Sequence, residues 1–123
     1  MFTLKFKKSA GVPVDYFTFR LIRAANSFRD QKKYCESAKL FEKALRRDGS
    51  LIHIWIQLGH MRRECGDRTG AANAYVEGFL KNPANPDANF YCIEYAPIAR
   101  DDLRCRATDI ILKKNLPLLK HYL

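Results

Sequence analysis

Hydrophobic positions in the first half of the chain recur with the spacing of amphipathic helices. The first stripe follows the i, i+3, i+4, i+7 pattern of a helix face and consists of Leu21, Ala24, Ala25 and Phe28. After a polar break at residues 29–33, a second stripe consists of Tyr34, Ala38, Phe41 and Leu45. The pattern therefore predicts two consecutive helices joined by a short turn.

The same pattern returns 34 residues later. At this offset, large apolar residues align with large ones, small residues with small ones, and turn formers with turn formers. The aligned pairs are Leu21 with Trp55, Ala25 with Gly59, Ser37 with Ala71, Phe41 with Tyr75, Leu45 with Phe79, and Gly49 with Pro83. Self-similarity at a fixed period of this size is typical of repeat architectures, so we predict repeat units at about residues 18–51 and 52–85.

A third unit is expected over residues 86–119, because helix pairs of this kind bury their apolar faces by stacking on one another. Pro97 should end its first helix early. Asp109 stands where Tyr75 predicts an aromatic residue, and the apolar stripe of the last helix falls two residues early. We therefore predict a degenerate pair with a shortened first helix that is otherwise intact.

The second unit carries a recognisable series of residues. The series is Trp55-x2-Leu58-Gly59, a Gly66-Asp67 turn, Ala71-x3-Tyr75 and Pro83. It resembles the tetratricopeptide repeat, a helix pair whose copies stack into a superhelix; the first unit is a weaker match, with Leu21 in place of tryptophan and Gly49 in place of proline. The resemblance implies an all-α fold, a tetratricopeptide-like solenoid of two clear helix pairs and a degenerate third pair.

The chain divides into one helical domain and two short ends. The domain spans residues 15–119 in this division, and residues 120–123 form a C-terminal tail. Residues 1–14 form a basic N-terminal segment that we expect to be weakly structured, because the strand-like alternation around Phe6 is too short to stand alone. We expect this segment either to be disordered or to pack against the first helix pair.

The resemblance also implies a partner-binding groove, since the first helices of successive pairs line the concave surface of such superhelices. The residues carried over to this face are Phe19, Ile22, Arg23, Asn26 and Arg29 from the first unit, His53, Ile56, Gln57, His60 and Arg63 from the second, and Asp87, Phe90, Tyr91 and Glu94 from the third. Exposed aromatic and aliphatic side chains among arginines favour a peptide groove with apolar anchors and charged rims. The alternative is that some of these apolar residues pack under the N-terminal segment.

The leading hypothesis is a non-catalytic interaction module that binds a peptide or helical segment of another protein. One alternative rests on residues 54–72, which resemble the repeats that precede glycosyltransferase domains in bacterial proteins and would make the chain a bacterial scaffold segment of a polysaccharide pathway. Another is self-association through apolar ends that stack head to tail. A third is a basic binder of nucleic acid or of an anionic surface.

Chaperone-tail binders of this family can be tested against the sequence directly. They hold a C-terminal carboxylate with two lysines, two asparagines and an arginine at fixed places. Those places here hold Ile22, Asn26, Gln57, Asp87 and Tyr91. One residue in five matches and an acid replaces a lysine, so the predicted partner is not a chaperone C-terminal tail.

The net charge of the chain suggests a nucleic-acid partner, but the distribution of that charge argues against one. The 123 residues include 22 Lys and Arg against 13 Asp and Glu, a net charge of +9. Residues 18–51 carry +5 of this excess, mostly on the turn and second helix, which face outward in a solenoid. A solvated convex face explains most of the charge, so nucleic acid is not the expected partner and an acidic protein is favoured at this end.

The remaining chemistry predicts neither an enzyme nor a cofactor. There is no phosphate loop, no nucleophile elbow and no His-Glu-x-x-His helix. His53 and His60 are two helical turns apart, about 10 Å of rise, so they cannot bind one metal ion without help and no metal site is expected. No apolar run could span a membrane, and lysines interrupt the N-terminus, so we expect a cytoplasmic protein with reduced, mostly buried cysteines.

Overall fold

The computed structural model describes residues 5–8 and 12–114, which form two short strands followed by six α-helices. The strands are β1 (Lys5–Lys8) and β2 (Val12–Asp15), and the helices are α1 (Tyr16–Asp30), α2 (Tyr34–Arg47), α3 (Ile52–Glu64), α4 (Arg68–Lys81), α5 (Pro86–Tyr95) and α6 (Asp101–Lys114), with a 3-10 turn at Ala96–Ile98 between α5 and α6. The prediction of an all-α fold is confirmed for these residues, with a two-stranded hairpin added at the N-terminal end. The tail at residues 120–123 lies outside the described residues.

The helices recur with the period found in the sequence. Helices α2 and α4 begin 34 residues apart, and so do α3 and α5. Core positions aligned at this offset are buried alike: Phe41 and Tyr75 expose no surface, and neither do Ser37 and Ala71. The alignment of large residues with large ones and small with small therefore describes the packing of the first two pairs.

The turns inside the first two pairs share one backbone geometry. Gly66 has a φ of 93°, and Lys32, at the same place in the first pair, has a φ of 62°. In both turns the amide of the following residue donates to the carbonyl five residues earlier, at 2.8 Å. A left-handed residue at this place satisfies the last carbonyls of the helix, and glycine adopts it without steric cost. The first pair makes the same turn with a lysine, which destabilises it.

Small residues let the two helices of a pair approach closely. A Cβ atom added at Gly59 would lie less than 3.0 Å from three atoms of the Tyr75 ring. At the equivalent place in the first pair, the hydroxyl of Ser37 donates a buried hydrogen bond of 2.8 Å to the carbonyl of Ala25. Small residues at aligned positions therefore allow close approach of the two helices in both pairs.

The N-terminal hairpin corrects one expectation. β1 and β2 pair antiparallel with Phe6 opposite Val14, and the side chain of Val14 is 2% exposed within the core of the first pair. Asp15 ends β2 and caps α1, since its carboxylate accepts the Thr18 amide at 2.7 Å. The segment is therefore not weakly structured at residues 5–8 and 12–14, and the expected alternative, packing against the first pair, is the one found. The strand-like pattern around Phe6 is too short alone, but Val12 and Val14 supply a partner strand that is anchored directly to α1.

The third unit follows the prediction in part. Helix α5 ends at Tyr95 and Pro97 lies in the 3-10 turn, so the shortened first helix is confirmed. However, α6 packs against α4 and the 3-10 turn and has little contact with α5, so the expectation of an otherwise intact pair is wrong. The early break at Pro97 brings the chain back over α4, where the Arg100 amide donates to the Asn73 side chain at 2.9 Å. Asp109 stays on the exposed side and pairs with Lys113 at 3.0 Å.

A disulfide corrects the expectation about the cysteines. It joins Cys35, near the start of α2, to Cys65, which follows the last residue of α3, with Cα atoms 5.2 Å apart. These two cysteines and Cys105 are exposed, whereas burial raises the pKa of the Cys92 thiol to about 12. Stacking of the second pair on the first brings two cysteines together that are distant in sequence. The cysteines therefore no longer argue for a reducing compartment.

The two interfaces between successive units use different chemistry at equivalent positions. Between α2 and α3, the Glu42 carboxylate accepts a hydrogen bond of 3.0 Å from the guanidinium of Arg62. At the same places in the next interface, 34 residues later, the chain has Val76 and Ala96, which are fully buried in one apolar cluster. An ion pair in the first interface is thus replaced by apolar packing in the second.

Candidate functional site

Residues of the predicted groove meet in a cleft between α1 and α3. The cleft has a volume of about 250 Å³. Its lining residues are Phe19, Ile22, Arg23, Asn26 and Arg29 from α1, and His53 and Ile54 from α3. Six of the seven were predicted as groove residues. We call this place the α1–α3 cleft.

Arg29 spans the α1–α3 cleft and ties its two helices together. Its guanidinium donates to the side-chain oxygen of Asn26 at 3.0 Å and to that of Gln57 at 3.2 Å, and it pairs with Asp30 at 3.2 Å. Gln57 belongs to α3, so these bonds fix the spacing of the two walls. Arg29, Asn26 and Gln57 therefore lie close together and bind one another.

Arg23 and His53 are exposed at the rim of the α1–α3 cleft. Neither side chain makes a hydrogen bond or an ion pair with any residue in the described part of the chain. Desolvation and the nearby Arg29 lower the pKa of His53, while the carboxylate of Asp87 on α5 opposes them. The cleft therefore offers an unpaired guanidinium and an imidazole whose pKa lies below its usual value.

A second group of side chains lies further along the same face, and we call it the tyrosine–histidine cluster: His60, Tyr75, Tyr91 and Tyr95. Tyr75 is buried, stacks on the Tyr91 ring at 4.8 Å between centroids, and lies 4.8 Å from the Tyr95 ring. Its hydroxyl is 2.7 Å from Nδ1 of His60. Burial raises the pKa of Tyr75, so this hydroxyl keeps its proton, and the tautomer of His60 decides which of the two groups donates.

The ionisation of His60 follows from its surroundings. Desolvation is the main cause that lowers its pKa, and Arg63 and His53 add to it, whereas Glu64 and Asp87 act in the opposite direction. Arg63 also donates to the Tyr95 hydroxyl at 3.4 Å, which links α3 to α5. Arg63 thus repeats the role of Arg29, one repeat length further along the chain.

Sequence reasoning missed Tyr75 and Tyr95 as parts of this face. The repeat alignment groups Tyr75 with the large apolar residues, which is correct for its buried ring, but its hydroxyl lies 2.7 Å from Nδ1 of His60. The available signal was the choice of tyrosine at position 75, where the first unit has Phe41, since a buried tyrosine hydroxyl normally has a hydrogen-bond partner.

Two predicted anchors are not exposed. Ile22 is 2% exposed and lies in the same apolar cluster as Val14, and Ile56 is 7% exposed in the cluster that contains Cys92. The expectation that they are exposed groove anchors is therefore wrong, because their position in the repeat packs into the core. Phe90, the third residue at this position, is 57% exposed, and within residues 12–114 no further unit follows to cover it.

The described residues were also searched for a metal site and for a membrane-spanning helix. Among them, no three His, Cys, Asp or Glu side chains are grouped closely enough to hold a metal ion. The same part of the chain has no helix of the length and hydropathy needed to cross a bilayer.

Comparisons with known proteins give no relative for this chain. No protein-family model matches it, and neither a curated protein nor a solved structure does.

Proposed function

We propose that this chain is a non-catalytic interaction module that binds a peptide or helical segment of a partner protein. In this proposal, the units stack as a tetratricopeptide-like superhelix, and α1, α3 and α5 line its concave groove. The observation that carries the proposal is the α1–α3 cleft, in which two different repeat units contribute side chains to one concave surface.

The chemistry of the cleft supports a protein ligand. A volume of about 250 Å³ suits one or two side chains of a bound segment. Phe19 supplies apolar contact area there, while Arg23 and His53 offer polar partners at the rim. This combination of an apolar centre and a polar rim is typical of protein interfaces.

Helix α5 extends the groove with aromatic surface. Phe90 is 57% exposed and lies edge-on to Tyr91, with ring centroids 5.1 Å apart. Exposed aromatic residues of this kind are common energetic centres of interfaces. A bound segment that reaches from the α1–α3 cleft to Phe90 would contact all three units.

Site-specific photo-cross-linking tests this proposal. A photoreactive amino acid is placed at His53 in the cleft or, as a matched control, at Lys39, which is exposed on α2. We expect a discrete cross-linked protein from the cell of origin at position 53 and none at position 39. Equal cross-linking at both positions, or none at 53, would contradict a binding role for the groove.

A further inference from the structure

The charged side chains that line the α1–α3 cleft are all positive. Two arginines, Arg23 and Arg29, line it, and none of its described lining residues is acidic. Arg29 is already bonded to three side-chain oxygens. Arg23 carries an exposed guanidinium with no hydrogen bond or ion pair to the described residues, so its donors are available to a ligand.

We propose that the α1–α3 cleft selects an aspartate or glutamate of the bound segment, whose carboxylate binds Arg23, next to an apolar residue that packs in the cleft. This inference rests on the proposed function, because it names the chemistry that the same groove recognises. Arginine and carboxylate form charge-assisted, often bidentate hydrogen bonds. The apolar neighbour follows from Phe19, the partly exposed aromatic side chain of the lining, since Ile22 and Ile54 are buried and contribute little surface.

His53 fits the same ligand. Its imidazole borders the cleft, faces Arg29 from α1 and Asp87 from α5, and has a pKa below its usual value. A carboxylate bound at Arg23 would offset the repulsion between Arg29 and a protonated His53. Binding of an acidic segment should therefore tighten as the pH falls from 8 to 6, as long as the ligand carboxylate stays ionised.

Selection from a displayed library of random 12-residue peptides tests the inference without knowledge of the natural partner. Selections use the unmodified chain, the Arg23→Gln variant and, as a matched control, the Lys39→Gln variant. We expect Asp or Glu beside an apolar residue to be enriched by the unmodified chain and the control, and this enrichment to disappear with Arg23→Gln.

A double-mutant cycle on one selected peptide locates the contact. Arg23→Gln and the change of the peptide Asp to Asn, or Glu to Gln, should each weaken binding by at least about tenfold. The two changes combined should cost little more than either one. Arg23 is exposed, so the variant is expected to fold, which its circular dichroism spectrum verifies.

The outcomes separate this inference from the function on which it rests. Peptides that bind with no preference for acidic residues, or additive effects in the cycle, would overturn the Arg23 assignment and leave the interaction module intact. Failure to select any peptide, together with no cross-link at position 53, would overturn both.

Discussion

The disulfide between Cys35 and Cys65 allows the most quantitative prediction. The bond closes a loop with a sequence separation of 30 residues and ties the first helix pair to the second. Closing a loop of this length lowers the entropy of the unfolded chain, which corresponds to about 3.6 kcal/mol of stability at 25 °C. Both cysteines are exposed, so replacing them with serine removes little packing. The Cys35→Ser/Cys65→Ser variant should therefore lose about 3–4 kcal/mol in its free energy of unfolding.

Urea denaturation followed by circular dichroism at 222 nm measures this loss. The unmodified chain is compared under oxidising conditions and with a reductant, and the double-serine variant should behave like the reduced chain. Thiol titration gives a second readout. The native protein should show one reactive thiol, Cys105, and the denatured protein should show two, because the Cys92 thiol is buried in the folded state and becomes accessible on unfolding.

The matched control is Cys105→Ser, which changes an exposed, unpaired cysteine and should alter stability by less than about 0.5 kcal/mol. The reasoning would be refuted if the double-serine variant were as stable as the control. Detection of four thiols in the denatured, unreduced protein would refute the bond itself.

Three further predictions concern single positions. Gly59→Ala should lower stability by about 1–2 kcal/mol, because its Cβ meets the Tyr75 ring; in a Tyr75→Leu background the same change should be neutral or stabilising, as determined from urea melts. Lys32→Gly should raise stability by about 0.5–1 kcal/mol and Gly66→Lys should lower it by a similar amount, since both residues have positive φ; equal and negligible effects on the urea midpoints would contradict this. The pKa of His60 is lower in the folded state than the value of about 6.5 expected in the unfolded chain, so the unfolded chain binds this proton first as the pH falls. The contribution of His60 to the free energy of unfolding is therefore complete above pH 7 and is lost as the pH falls through about 6.5. His60→Gln should therefore flatten the decline in stability between pH 7 and 5, and an unchanged slope would show that other groups cause it.

The regular part of the fold could be predicted because each unit repeats a local pattern. The spacing of Phe41 and Tyr75, and of the small residues opposite them, predicts the helix pairs and their period. The position of α6 could not be predicted in the same way. Pro97 shows where α5 ends, but where the chain goes next depends on which apolar surface of α4 is still uncovered, and that is a property of the assembled structure.

The candidate site was predictable in its polar residues and less so in its apolar ones. Arg23, Asn26 and Arg29 lie on the expected face because charged side chains favour the solvent side of a helix. Ile22 and Ile56 follow the same spacing, yet they are buried, since a hydrophobic residue at the edge of a stripe turns towards whichever neighbour covers it. The disulfide was missed because sequence separation does not show that two helix ends are adjacent.

The exchange of Glu42 and Arg62 for Val76 and Ala96 has a consequence for folding fidelity. Chains of similar repeats can misfold when one unit docks in the place of another. If α5 and the following Ala96 took the place of α3 on α2, Glu42 would keep only its ion pair with Arg46 on the same helix. If α3 took the place of α5 on α4, the guanidinium of Arg62 would face the apolar surface around Val76. The first error removes the ion pair across the interface, and the second places a guanidinium against apolar side chains without its carboxylate partner. The different chemistry of the two interfaces therefore favours one order of the units, although the helices themselves are built on the same pattern.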